Sequence, residues 1–223
     1  MEGLTFKRIL SDTTHYGIIW SGKWEKRTDC VIKVVLLNSG VHYDRESEEY
    51  ISGSDKRPAR NGVRKFSKDG EIPYLHTDYA RKKAMSVEKF RKEVYMLKEV
   101  NALKLAPKLF HHWMDQTSYK AHYGFIVMER MTCTVKDILL ERDLSKSEMR
   151  RIKSKIAKLH DNGIKHGDMK PSNVGVHLTS SGSIRHIRII DWAKGEYTSD
   201  EEIFARDIRT FAAHVEKNIL ERR

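Results

Sequence analysis

The chain has 223 residues, 39% of them hydrophobic, which is length and core enough for one large domain or two lobes around a cleft. Two cysteines, Cys30 and Cys133, exclude a disulfide framework, and eleven scattered histidines offer no zinc-ligand spacing. A formal charge of +11 implies either an acidic partner or a well-solvated basic surface.

The opening Met1-Glu2-Gly3-Leu4 carries no basic-then-apolar leader, and no run nears the roughly 20 apolar residues of a membrane span. An intracellular protein is therefore expected, in the cytoplasm or nucleus, a host cell's included. Residues 5–37 read as a small antiparallel sheet. Ile18-Ile19-Trp20 and Val31-Ile32-Lys33-Val34-Val35 are its β-rich runs, separated by the polar stretch Lys23 to Asp29. Residues 38–85 break that pattern with glycines, prolines and segregated charge, and are expected to form a partly disordered insertion. Within it, residues 44–55 hold five acids against one arginine, and residues 56–68 hold six bases and no acid. The basic run either recruits an acidic partner (nucleic acid, a phosphoprotein or an anionic membrane) or is a solvated loop.

Val87, Phe90, Val94, Leu97 and Val100 recur at helical spacing and predict an amphipathic helix over 86–100. Leu109 to Trp113 and Phe125 to Met128 predict two short strands, and a helical region follows from Val135. Ser145-Lys146-Ser147-Glu148 fits a capping box. The apolar stripe behind it is Met149, Ile152, Ile156 and Leu159, with Gly163 where a helix C-cap would fall.

Three residues on begins His166-Gly167-Asp168-Met169-Lys170-Pro171-Ser172-Asn173, and Ile189-Ile190-Asp191 then reads as an apolar strand ending in a second aspartate. This wording resembles the protein-kinase family's catalytic loop and metal-binding motif. The resemblance covers residues 5–37 and 86–212 and implies an α+β, two-lobed fold. Its small antiparallel-sheet N-lobe would span 1–128 and its truncated helical C-lobe 129–223. It further implies ATP as phosphoryl donor and Mg²⁺ as metal. Asp168 would orient the acceptor hydroxyl and take its proton, Lys170 would neutralise the transferring phosphoryl, and Asn173 and Asp191 would ligate Mg²⁺.

The same resemblance assigns the nucleotide-binding residues. Cys30-Val31-Ile32-Lys33 is similar to the family's Val-Ala-Ile-Lys strand. Alternation puts Val31 and Lys33 on one face, Val31 toward adenine and Lys33 toward the phosphates. An edge-strand lysine that discourages aggregation is the other reading. Glu93, bordering the apolar stripe of its helix, would pair with Lys33. Of the phosphate-loop glycines only Gly17 survives, followed by Ile19, while Asp12 and Thr14 occupy the other two places. Met128 would back the adenine pocket, and the backbone from Glu129 to Met131 would bond the base.

Four departures change the expected behaviour. Gly167 removes the arginine that receives a loop phosphate in regulated kinases. Trp192 and Ala193 replace Phe and Gly after the metal-binding aspartate. Gly175 takes the place of the residue that floors the adenine. The helical lower lobe stops soon after Asp207, whose place braces the catalytic loop. Such truncation is similar to small kinases of large DNA viruses, bacterial effector kinases and the tRNA-modification complex kinase. The resemblance thus implies a minimal kinase acting on Ser/Thr hydroxyls of a protein substrate without loop phosphorylation. A pseudokinase binding module and a small-molecule kinase are the alternatives, and Lys170 argues against the latter.

Overall fold

A computed structural model of the chain describes residues 3–11, 14, 17–26, 28–38, 41–43, 50–52, 84–116 and 122–222. They form two compact units. The first comprises residues 1–91 and 109–130, the second residues 92–108 and 131–223. The segment 92–108 belongs to the second unit. Its own bonds explain this: the Ile189 amide donates to Leu105 O at 2.7 Å, and Lys92 and Glu99 bond to residues 196 and 197.

In the first unit β1 (Leu4–Ser11), β2 (Gly17–Trp24) and β3 (Thr28–Asn38) lead to two short paired strands, β4 (Val41–Tyr43) and β5 (Tyr50–Ser52). The segment expected to interrupt the order thus contains a hairpin. Residues 53–83, with the basic run 56–68, lie outside the described residues. β6 (Met85–Ser86) adds to β3 in parallel, and α1 (Val87–Ala102) follows directly, starting one residue later and ending two residues later than its apolar spacing predicts. The Ser86 hydroxyl accepts from the Lys89 amide at 3.1 Å, satisfying one of the orphan donors of the first turn. β7 (Leu109–Gln116) and β8 (His122–Glu129) complete a sheet in the order β1-β2-β3-β8-β7.

Period-two alternation gives this sheet two different faces. Ile18, Trp20, Cys30, Ile32, Val34, Phe125 and Val127 point to one side and form a buried core. The opposite face is fixed by register: Ile19 pairs with Lys33 and Lys33 with Ile126, while Ser21 pairs with Val31 and Val31 with Met128. At the start of this face position 17 must be glycine, because a Cβ there would sit 2.1 Å from the Val34 carbonyl oxygen.

In the second unit β9 (Cys133–Thr134) leads into α2 (Val135–Glu141), then α3 (Lys146–His160), β10 (Ile164–Lys165), β11 (Val174–Leu178), β12 (Ile184–Ile189), β13 (Glu196–Tyr197) and α4 (Glu201–Arg222). Both α2 and α3 start with a reciprocal capping box, Thr134 with Asp137 and Ser145 with Glu148. The second box is the expected one. Ile152, Ile156 and Leu159 are buried as the stripe requires, with Met149 half-buried at its edge. The helix stops at His160, earlier than the predicted cap. Gly163 takes a left-handed φ of +69° two residues past the C-cap and accepts the Thr198 amide. Among the described residues no helix is long and apolar enough to cross a membrane. The whole is the α+β organisation that the kinase resemblance implies.

Candidate active site

The loop after β10 is built on a buried carboxylate. Asp207 of α4 is 4% exposed and accepts the backbone amides of His166 at 2.7 Å and Gly167 at 3.0 Å. His160 Nε2 lies 3.5 Å away. Burial pushes the Asp207 carboxyl up, but His160 and the two amides outweigh it and hold it below the usual carboxylate range. Asp207 thus braces the loop as its place in the resemblance implies.

His166 is fully buried, and its two nitrogens fasten the loop from within. Nδ1 accepts the Asp168 amide at 3.2 Å, so Nε2 carries the proton and donates to the Ile190 carbonyl at 2.9 Å. Burial lowers its pKa, so the ring is neutral at pH 7. The edge of Trp192 packs on this ring with centroids 4.9 Å apart, and the indole N–H donates to Ile189 O at 3.0 Å. Trp192 therefore fills the role of an apolar plug behind the aspartate that precedes it.

On this frame Asp168 is held on every side. Lys170 Nζ lies 2.7 Å from Oδ2, Asn173 Nδ2 donates to Oδ2 at 3.1 Å and to the Asp168 carbonyl at 2.9 Å, and Lys194 Nζ lies 3.3 Å from Oδ1. Partial burial raises the carboxyl pKa, but Lys170 and Lys194 more than offset this and keep it low. Asp168 is thus an ionised carboxylate with a fixed orientation. Lys170 lies beside it, as spacing suggested. Lys194 is a residue that motif reading missed; its only signal was a basic residue three after Asp191.

The metal candidates meet through an antiparallel pairing. Val174 pairs with Ile189, so Asn173, just before β11, and Asp191, just after β12, lie at the same end of that ribbon. The Ile190 amide donates to Asn173 O at 2.9 Å. Asp191 does not end the strand, as its apolar run suggested. The strand closes at Ile189, and Asp191 adopts a left-handed φ of 67°, a conformation Asp tolerates better than most residues. The Asn173 amide nitrogen is committed to Asp168, leaving its oxygen for a cation. An amide oxygen and a carboxylate are the hard donors that Mg²⁺ takes, so these residues fit that metal.

Gly167 and Gly175 have distinct reasons. Gly167 sits at φ +74°, and a Cβ there would lie 2.9 Å from the Lys194 carbonyl oxygen. A Cβ at Gly175 would lie 2.7 Å from Met131 Cγ, so the Met131 side chain fills the space that a larger residue at 175 would take.

In the first unit, Ile19, Val31, Lys33 and Met128 share the sheet face opposite the core, with Lys33 6% exposed. Glu129 ends β8, paired with Cys30. The Thr14 hydroxyl, where a glycine was expected, donates to the Gly17 carbonyl and accepts the Gly17 amide at 3.2 Å. Asp12 lies outside the described residues. Glu93 and Met131 belong to the second unit, and Glu93 is buried at 3% exposure.

A family model described as "Lipopolysaccharide kinase (Kdo/WaaP) family" matches residues 41–213. Among curated proteins, "Cyclin-dependent kinase F-3" of Oryza sativa subsp. japonica is 31% identical over 102 residues, 42% of this chain. The chain spans 22% of the length of that relative.

Proposed function

The chain belongs to the lipopolysaccharide kinase (Kdo/WaaP) family, and on that premise we propose that it transfers the γ-phosphoryl of ATP to an alcohol hydroxyl. The observation that carries this reading is the Asp168 carboxylate, ionised and fixed between Lys170 and Asn173. A hydroxyl at that carboxylate is oriented for attack, and its proton has an acceptor. Lys170 offsets charge on the transferring group. Asn173 and Asp191 would hold Mg²⁺, which supplies charge neutralisation at the phosphates when bound. By the kinase resemblance, Lys33 and Glu93 would serve the α- and β-phosphates, and Gly17, Ile19, Val31, Met128, Glu129 and Met131 would take the rest of the nucleotide.

The acceptor in this reading is a Ser or Thr hydroxyl of a protein. Lys170, two residues after Asp168, supports it, as does the likeness to a protein named as a cyclin-dependent kinase. The family description favours a second reading, a sugar hydroxyl of a lipopolysaccharide. Radiolabelled ATP offered with generic acceptor proteins and, separately, with lipopolysaccharide distinguishes them. Label in phosphoserine or phosphothreonine is the expected result, and label confined to the sugar would replace it. A small kinase of the viral or effector type, working inside a cell and active without prior phosphorylation, is the setting this reading implies. The basic run 56–68 would there recruit an acidic partner. Its deletion should weaken binding to anionic surfaces and spare ATP hydrolysis.

A further inference from the structure

The segment between Asp191 and α4 is tied at both ends of one residue. Glu196 Oε1 lies 2.5 Å from Lys165 Nζ, and Oε2 lies 2.8 Å from Lys92 Nζ. Lys165 is in β10, directly before the catalytic loop, and pairs with Glu196 in the β10–β13 register. Lys92 is in α1, beside Glu93. The next residue repeats the link, since the Tyr197 hydroxyl donates to Glu99 Oε2 of α1 at 2.8 Å. The Thr198 amide donates to Gly163 O at 2.8 Å, extending the attachment past the strand pair.

Phosphorylation orders such segments by placing an anion among cations from separate elements. Here one carboxylate already holds two ammonium groups, one from the helix and one from the strand that feeds the loop. Gly167, two residues after Lys165, offers no substitute, because its φ and the nearby Lys194 carbonyl leave no room for a side chain.

We propose that Glu196 is a positioning residue that stands where a regulatory phosphate would act, tying Lys92 of α1 to Lys165 and so setting Glu93 and the catalytic loop without modification. This rests on the phosphotransferase reading above. One exposed ion pair contributes little, and the side chains of Lys92 and Glu196 are 44% and 42% exposed. The effect comes from joining three elements at once: Lys165 is 19% exposed, and the strand pair and the Tyr197 bond act in parallel. Small misplacements of a catalytic group cost far more in rate than in stability.

The test uses the full-length chain with Glu196→Gln and Glu196→Ser, the latter also with phosphoserine incorporated at position 196. Two readouts are taken: kcat and KM for ATP, and amide hydrogen exchange over residues 92–102 and at Thr198. Glu196→Gln and Glu196→Ser should lose about tenfold in kcat, with KM for ATP within about twofold of wild type. Both should exchange faster at those amides, and phosphoserine should restore both properties. Unchanged kcat and exchange in Glu196→Gln, or phosphoserine that restores neither, would overturn the proposal. Should the wild-type chain transfer no phosphoryl to any acceptor, the function reading fails separately. The exchange comparison then decides the latch alone, faster exchange rescued by phosphoserine supporting it and equal exchange ending it.

Discussion

At the scale of single residues, the site depends on Asp207 as much as on the groups that do chemistry. Asp207→Asn leaves one oxygen acceptor for two buried amides, those of His166 and Gly167. The expected cost is roughly 1–3 kcal/mol, read from chemical denaturation at pH 7. Because the folded carboxyl titrates below its ordinary value, its contribution is complete above about pH 4 and lost as pH falls through the lowered folded pKa. The difference between wild type and variant should therefore shrink in acid; a constant difference down to the lowest pH that keeps the fold would contradict this account. Asp168, Lys170 and Asn173 were legible from spacing because one short loop carries all three. Lys194 was not, since its closeness to Asp168 is made by the turn after Trp192, and no spacing rule encodes that turn. The left-handed Asp191 was equally hidden, because an apolar run predicts a strand without saying where it ends.

Among the elements, α3 shows how capping and an ion pair share one carboxylate. Arg142 reaches Glu148 with bonds of 2.9 and 2.7 Å, and the Ser145 amide donates to the same side chain at 2.9 Å. The Arg142 bonds hold the Glu148 carboxyl down at about 2 against the opposing effect of burial, with Ser145 adding to them. Glu148→Gln should cost about 1–2 kcal/mol at neutral pH. The wild-type advantage is present above the ordinary glutamate value of 4.5 and fades as pH drops toward about 2. Urea midpoints at pH 7 and pH 3 check this, and a gap that widens in acid would contradict it. The N-terminal capping box and the stripe of α3 were read correctly from local chemistry. The β11–β12 ribbon was only partly foreseen: Val174 to Leu178 borders the catalytic wording and carries Gly175, which masks its strand pattern. β6 has two residues, too few for any periodicity. The alternation of β2, β3 and β8 was strong enough to place Val31 and Lys33 on one face before any register was known.

For the whole molecule, the central claim is that this fold binds Mg²⁺ and ATP and transfers phosphoryl groups through Asp168. Mass action at ligand near 100 times Kd stabilises a folded protein by about 2.7 kcal/mol. For a chain of this size that raises Tm by roughly 5–10 °C. Asp191→Asn should remove the Mg²⁺-dependent part, and the absence of any shift at millimolar Mg²⁺ and ATP would favour a scaffold without nucleotide chemistry. The most direct measurement compares phosphoryl transfer by the wild-type chain and Asp168→Asn, purified in parallel. The substitution keeps the shape of the side chain and removes the carboxylate that orients and deprotonates the acceptor. A fall of at least about a hundredfold is expected, with folding and the ATP-induced thermal shift retained. Equal transfer by the two proteins would mean that the activity does not reside at Asp168, and the account of this site would be wrong.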